Sequence, residues 1–438
     1  NIRIRGRDCP KPVLTWAQAG LAKGVMECLM EERKFLSPTP VQSVTMPCLL
    51  SGRDVIAVAK TGSGKTLAFL LPLLRHVADQ PRSQMGDLAG PIGLILTPTR
   101  ELAIQTYREA VKLGTATDSR IRVVCAYGGA PIAEQIGDLK RGADVVVCTP
   151  GRMIDLLLSS SGKTTNLRRV TFVVLDEADR MFDMGFGPQV LQIVQNVRPD
   201  RQTVLTSATF PKQMEMVARR VLTRPLEIIV GAHSAVCEDV TQVIELFDEQ
   251  SAKFLFLLKL LGDWYPARAN RVLVFVDRQD SADMLMRDLL RRGYPSQSLH
   301  GGKEQAERDQ AISDFKSNAV PILVATSIAA RGLDVPDLKL VINYDCPNHK
   351  EDYVHRVGRT GRAGRKGTAV TFIVRGVDDK HVPGICQALR ASRVPVPDDL
   401  SKLSDSFTAR LQAGQAEAPG RGFGGRGLDR IEQERQLV

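Results

Sequence analysis

Two short runs hold the side chains best suited to chemistry. The first, Ala59-Lys60-Thr61-Gly62-Ser63-Gly64-Lys65-Thr66, follows Val55-Ile56-Ala57-Val58 and opens into Leu67-Ala68-Phe69-Leu70-Leu71. Strand, glycine-rich turn and helix in that order form a cradle for phosphate groups. Backbone N–H groups from Thr61, Gly62, Ser63 and Gly64 face phosphate oxygens there, and the helix dipole favours their charge. Lys65 can reach the outer phosphates, and Thr66 can place its hydroxyl on magnesium. Ala59 stands where this pattern usually has its first glycine. The second run, Asp176-Glu177-Ala178-Asp179, follows the buried-strand pattern Phe172-Val173-Val174-Leu175. Ligands of open α/β sheets bind at that carboxyl end. Asp176 suits magnesium, and Glu177 can orient and deprotonate an attacking water. Together the runs imply a nucleoside triphosphate, ATP, bound with Mg2+ and hydrolysed. A solvated acidic turn is the bland reading of 176–179, and it is poor beside a phosphate loop.

These residues need a frame. After the first strand come apolar runs at Ile92–Leu96, Val123–Ala126, Val145–Cys148, Phe172–Leu175 and Thr203–Leu205. Near-continuous apolar runs are strands covered on both faces. Helical patterns at Glu101–Leu113 and Ile132–Leu139 lie between them, which argues for parallel sheets built from crossover units. From about Val243 the alternation begins again, with strands at Val272–Val276, Ile322–Ala325, Leu340–Ile342 and Ala369–Ile373. Helices read at Ala252–Leu261, Ser281–Arg291 and Ala306–Phe315. The second half has no phosphate loop, so the pattern implies one site shared by two similar domains. The expected division is 1–230 for the nucleotide-binding domain, 231–242 for a linker and 243–391 for the second domain. Residues 392–438 are expected to form an extended polar tail containing Arg421-Gly422-Phe423-Gly424-Gly425-Arg426-Gly427.

With 438 residues, the chain is long for one core and suits two domains. Its 43% hydrophobic and 25% charged content describe a globular chain. No apolar run approaches the roughly 20 residues needed to cross a bilayer, so no membrane role is expected. The eight cysteines are scattered, with no C-x-x-C pair, and read as reduced core thiols. A net charge of +10 favours a polyanionic partner, most simply nucleic acid, although it also serves solubility. The chain begins at Asn1 without Met and no signal-peptide pattern follows, so it is expected to be a fragment.

Further motifs give the chain a family resemblance. Pro38-Thr39-Pro40-Val41-Gln42, Pro98-Thr99-Arg100, Gly128-Gly129, Thr149-Pro150-Gly151-Arg152 and Ser207-Ala208-Thr209 occur in that order. Downstream come Gln305 and Arg308, Thr326-Ser327 leading to Gly332-Leu333-Asp334, and His355-Arg356-Val357-Gly358-Arg359-Thr360-Gly361-Arg362. With the Asp-Glu-Ala-Asp run itself, residues 14–375 resemble a DEAD-box ATP-dependent RNA helicase. The resemblance implies an α/β fold of two tandem RecA-like domains, each a mostly parallel sheet flanked by helices. It implies that Gln42 reads the adenine edge with Phe35 packed nearby, and that Asp334 touches the ribose. Pro98, Thr99, Arg100, Gly128, Gly129, Thr149, Pro150, Gly151 and Arg152 would grip RNA from the first domain. Gln305, Arg308, Thr326 and Gly332 would do so from the second. Such contacts reach backbone and 2′-hydroxyl groups and carry little sequence preference. Ser207, Thr209 and His355 would couple nucleotide state to closure, and Arg359 and Arg362 resemble arginine fingers aimed at the γ-phosphate.

A narrower resemblance rests on Cys9-Pro10-Lys11-Pro12, Arg180-Met181-Phe182-Asp183-Met184-Gly185-Phe186, Ser327 and Glu432-Gln433-Glu434-Arg435. These look like the pre-mRNA-processing branch that acts at branch-site recognition during prespliceosome assembly. That branch implies spliceosomal ribonucleoprotein partners, a nuclear location and a long N-terminal extension beyond this chain. Three alternatives stay open: a DEAD-box enzyme of ribosome biogenesis or mRNA export, a non-catalytic ATP-gated RNA clamp, and a DNA helicase of the same superfamily, which would lack the adenine motif around Gln42. Ser327 stands where most relatives carry Asp. The expectation is a modestly weakened closed state that an Asp would strengthen, with a helix-capping hydroxyl as the rival reading.

Overall fold

The computed structural model describes residues 2–81, 90–117, 121–159, 164–231, 236–264, 271–327, 329–330, 335, 338–361 and 365–416. They form two compact units that divide between 231 and 236.

The first unit is built on eight strands: β1 Ile2–Arg5, β2 Val55–Ala59, β3 Gly93–Leu96, β4 Val123–Ala126, β5 Val145–Cys148, β6 Phe172–Leu175, β7 Gln202–Ser207 and β8 Leu226–Val230. Their order is β1-β8-β2-β7-β6-β3-β5-β4. Every pair is parallel except β1, which runs antiparallel to β8 at the edge. Successive strand residues point to opposite faces, and both faces are covered. Thus Val55, Ala57 and Ala59 enter one core while Ile56 and Val58 enter the other. That is why the strands read as continuous apolar runs.

The second unit repeats the plan with β9 Val240–Phe247, β10 Arg271–Val276, β11 Ser296–Leu299, β12 Ile322–Thr326, β13 Leu338–Asn343 and β14 Gly367–Val374. The order is β11-β12-β10-β13-β14-β9, and every pair is parallel. Leu273 and Phe275 face one core, Val272, Val274 and Val276 the other.

Two expected boundaries move. The linker anticipated at 231–242 is shorter, because β9 begins at Val240 and Val236 is already buried, donating its N–H to Ser392 Oγ at 2.9 Å. Residues 232–235 lie outside the described residues. The extended tail anticipated from 392 is wrong for its first part. Asp398–Gln412 is a helix whose Leu400 and Leu403 join the core beside the helix Val382–Ala391. Pro397 precedes it, Asp398 and Asp399 occupy its positive first turn, and Leu400, Leu403 and Phe407 recur at helical spacing. The rest of the tail, 417–438, lies outside the described residues.

Candidate active site and RNA rim

The first unit places its motif loops on one edge of the sheet. The phosphate loop leaves β2, 207–209 ends β7, the acid box follows β6, and loops from 97, 149 and 127 follow β3, β5 and β4. The ends are level: Val58 pairs with Ser207, Leu175 with both Leu205 and Leu96, and Cys148 with Leu96 and Ala126. Strand order therefore converts scattered sequence motifs into a row.

The phosphate loop turns through Gly62 at φ 77° and Gly64 at φ 92°, a left-handed backbone that favours glycine. Gly64 caps the helix Lys65–Ala78. A Cβ on Gly64 would lie 2.5 Å from Gln42 Nε2. Space as well as φ therefore demands glycine. Lys65 is buried and donates to the carbonyls of Ala59 and, at 2.9 Å, Lys60. Thr66 follows in the first helical turn, with Thr61 and Ser63 in the turn before it.

Gln42 is also built in. Its Oε1 accepts from Thr39 N at 2.8 Å, and its Nε2 donates to Gly64 O at 3.0 Å. Thr39 Oγ1 donates to Ser63 O at 2.9 Å. An amide oxygen and an NH2 group each keep one further bonding site, so the side chain can still read a base edge. Phe35 is half-exposed, whereas Trp16 is buried and donates Nε1–H to Phe35 O at 2.8 Å. Trp16 thus packs in the core and holds the strip that presents Phe35.

The acid box is buried and strained. Asp176 Oδ1 accepts from Thr206 Oγ1 at 2.5 Å and from Glu177 N at 3.1 Å. Burial, then the neighbouring Glu177 charge, lifts the Asp176 carboxyl from 3.8 to about 6, while Thr206 and Lys65 pull the other way. Glu177 sits at φ 48°, ψ 51°, an uncommon left-handed conformation for a glutamate at a helix start. Asp179 is fully buried and accepts from Thr209 N at 2.9 Å and Thr209 Oγ1 at 2.8 Å. Ser207 Oγ donates to Thr209 O at 2.6 Å. The acid box and 207–209 are therefore one hydrogen-bonded assembly. A buried carboxylate raised in this way is short of positive charge, which is the deficit a divalent cation fills. Thr66 and Asp176 fit such an ion.

The loops farther along the row also hold one another. Thr99 caps the helix Arg100–Thr115, accepting from Leu102 N at 3.3 Å, and Pro98 precedes it. Thr149 starts the helix Pro150–Leu158, with Pro150 and Gly151 in its first turn. Arg100 lies over the Tyr127 ring at 4.7 Å, and Arg152 donates to Ala130 O at 3.1 Å and Gln135 Oε1 at 3.0 Å. The Gly128-Gly129 turn is thus clasped on both sides, and no atom lies within 4 Å of where a Gly128 Cβ would be.

In the second unit, Gln305 and Arg308 open the helix Gln305–Lys316, and Arg308 donates to Gln305 Oε1 at 3.3 Å. Thr326 ends β12. His355 is buried in the helix Lys350–Val357, and Arg359 is buried with Nε donating to His355 O at 3.1 Å. Gly332, Asp334 and Arg362 lie outside the described residues. Ser327 Oγ donates to Asp352 Oδ2 at 3.3 Å, an oxygen that also meets Arg356 Nε at 2.6 Å, and the residue after Ser327 lies outside the described residues. An Asp at 327 would set two carboxylates together, which opposes the expected gain from Ser327→Asp. Sequence reading missed Thr39, Thr206 and Arg356. Thr39 and Arg356 left a trace, as unassigned members of the 38–42 and 355–362 runs. Arg356 bridges Asp352 and, at 2.9 Å, Asp277, and donates to Asp345 O at 2.8 Å.

The arrangement has a counterpart among known proteins. The DEAD/DEAH box helicase model matches residues 39–217, and the helicase conserved C-terminal domain model matches 252–364. The chain belongs to the DEAD-box helicase family. Lys65, Asp176, Glu177 and Ser207 fall in the first matched stretch, Gln305, Thr326, His355 and Arg359 in the second. This DEAD-box chain is 56% identical over its whole length to the pre-mRNA-processing ATP-dependent RNA helicase prp5 of Aspergillus clavatus, covering 36% of that relative. It is 55% identical over 99% of its length to the pre-mRNA-processing ATP-dependent RNA helicase prp11 of Schizosaccharomyces pombe, covering 42% of it. The chain therefore spans well under half of the relatives it matches. Among solved structures it resembles S. cerevisiae Dbp5 bound to RNA and ADP BeF3, with a TM-score of 0.74 and 28% identity, covering 91% of this chain and 99% of that one. Among the described residues, no helix is long and apolar enough to cross a membrane.

Proposed function

We propose that this DEAD-box chain is an RNA-stimulated ATPase that clamps and locally opens RNA, and that it serves pre-mRNA splicing in the nucleus with spliceosomal ribonucleoprotein partners. The observation that carries the reading is the row on the first unit's sheet edge: phosphate loop, 207–209, acid box, then three loops suited to RNA. The splicing role is supported by the names of the relatives at 55–56% identity.

In this reading Lys65 exchanges its loop carbonyls for phosphate oxygens, and Gln42 reports adenine occupancy to the loop through Gly64. Magnesium, when bound, would be held by Thr66 and Asp176 and would neutralise charge on the phosphate oxygens. Glu177 orients and deprotonates the attacking water. Asp179 and Thr209 transmit the state of the acid box to the neighbouring strand end. RNA along the rim and the second unit favours closure, and closure delivers Arg359 and Arg362 to the phosphate. ATP and RNA then strengthen each other's binding by the same factor.

Glu177→Gln tests this directly. It should retain ATP and RNA binding, lose turnover by at least about a hundredfold and accumulate as an ATP–RNA complex. Near-normal turnover would remove Glu177 from the chemistry.

A further inference from the structure

At the other end of the first unit's sheet, away from the phosphate loop, lies a cavity of about 1000 Å³. Four chain segments meet there: the exit from β1 and the entries to β2, β7 and β8. Each brings one arginine to the wall: Arg7, Arg53, Arg224 and Arg201.

Three carboxylates share the wall, Asp8, Asp54 and Asp200, so the arginines are in excess by one, and two of the three carboxylates are engaged elsewhere. Asp54 is buried and engaged by backbone, accepting from Thr203 N at 2.7 Å and Thr223 N at 2.6 Å. Asp200 is held by a fork from Arg198, at 2.8 and 2.6 Å. Arg53 staples the walls, donating to Arg7 O at 3.0 Å and Arg224 O at 3.3 Å. Its partners stay in place although Asp8 and Arg224 both have left-handed backbones, at φ 58° and 44°. Asp adopts this conformation readily in turns, whereas for Arg224 it costs about 1 kcal/mol or more. Arg201 is fixed by bonds to Arg198 O at 3.0 Å and Val221 O at 3.3 Å, while its Nε is buried without an acceptor among the described residues. Burial lowers the Arg201 guanidinium below its ordinary value. Arg201 therefore adds fixed positive charge to the wall without offering a free donor to the cavity.

We propose that this cavity binds a small, multiply phosphorylated molecule, held by the exposed guanidinium groups of Arg7 and Arg224 across the Arg53 staple, with the Arg201 charge behind them. Arginine forks match phosphate oxygens bidentately. The volume is that of a small-ligand site and exceeds the need of a single phosphate. The wall contains no aromatic side chain on which a nucleobase could stack, which disfavours single-stranded nucleic acid. The site is separate from the nucleotide site, since it lies where β2 and β7 begin and the phosphate loop lies where β2 ends.

The test uses the full chain with its phosphate loop filled by excess Mg-ADP and tripolyphosphate as the probe, read by calorimetry. One tripolyphosphate should bind per chain. Arg7→Gln and Arg224→Gln, both at exposed positions, should each weaken it about tenfold, and the double variant should abolish it. Arg219→Gln, on the exposed helix Lys212–Val221 outside the wall, should leave it unchanged. Unaltered binding in the Arg7→Gln/Arg224→Gln variant, or no one-to-one binding to the original chain, overturns the proposal. Displacement of the probe from the original chain by single-stranded RNA, with RNA affinity lowered in the double variant, would assign the cavity to nucleic acid and overturn the small-molecule reading.

Discussion

The two units share a sheet plan but hold their functional groups by different means. In the first, Asp176, Asp179, Gln42 and Lys65 are positioned by hydroxyls and backbone groups: Thr206, Thr209, Thr39, Gly64 and the carbonyls of 59–60. In the second, Arg356 is fixed by Asp352 and Asp277, and Lys253 by Asp345 at 2.9 Å. Neutral partners position a charge without cancelling it. Burial and the Glu177 charge hold the Asp176 carboxyl up, at about 6, so this carboxylate gains from an added cation. In the second unit the pairs of Arg356 with Asp352 and Asp277 brace the helix Lys350–Val357, which leads to Arg359.

The largest way to break this comparison is to remove a carried arginine. Arg362→Ala should lower RNA-stimulated turnover by about a thousandfold or more while ATP affinity changes little, measured by steady-state ATPase and nucleotide binding. Undiminished turnover would mean that the second unit supplies no charge to the reaction.

Gln42→Ala should act on two levels. ATP should be favoured over GTP by about a hundredfold in the unmutated chain, and the variant should narrow that gap. Because Thr39 N and Gly64 O also lose a partner, the variant should be about 1–2 kcal/mol less stable in denaturant even without nucleotide. A purely ligand-facing glutamine would show the first effect without the second.

Asp176→Asn sharpens the contrast in charge. The folded carboxyl lies at about 6, above its ordinary 3.8. The native state therefore holds the proton more tightly. The stability this contributes is present below pH 3.8 and is lost as pH rises through about 6. In EDTA at pH 8 the Asn variant should be more stable than the original by about 1–3 kcal/mol, though inactive, and the two should converge near pH 4. Equal melting temperatures at pH 8 would show that the acid box carries no unmet charge.

The smallest effect belongs to Ser327→Asp. A second carboxylate beside Asp352 should compete for Arg356 and destabilise the second unit by about 1 kcal/mol, with no gain in turnover. A few-fold faster RNA-stimulated ATPase would restore the expectation drawn from relatives.

What the sequence disclosed follows a physical divide. Strands such as Val145–Cys148 were legible because both their faces are buried, which leaves an unbroken apolar run. β11, Ser296-Gln297-Ser298-Leu299, is a polar edge strand and sends no such signal. β1 carries a two-residue alternation, Ile2-Arg3-Ile4-Arg5, too short to stand out until β8 pairs with it. The helix Asp398–Gln412 was legible in its Leu400, Leu403 and Phe407 spacing but was hidden by polar composition. In the site, Lys65 and Asp176 announce themselves by local pattern. Thr206 does not, since a threonine in a strand acquires its role only when β7 lies beside β6.

In the proposed mechanism the site of the first unit turns over only when RNA brings in the second. The most direct measurement is the ATP turnover of the whole chain with and without single-stranded RNA at saturating Mg-ATP. Turnover that is near background alone and rises at least about tenfold with RNA is the predicted result. Equal turnover in both conditions would contradict it.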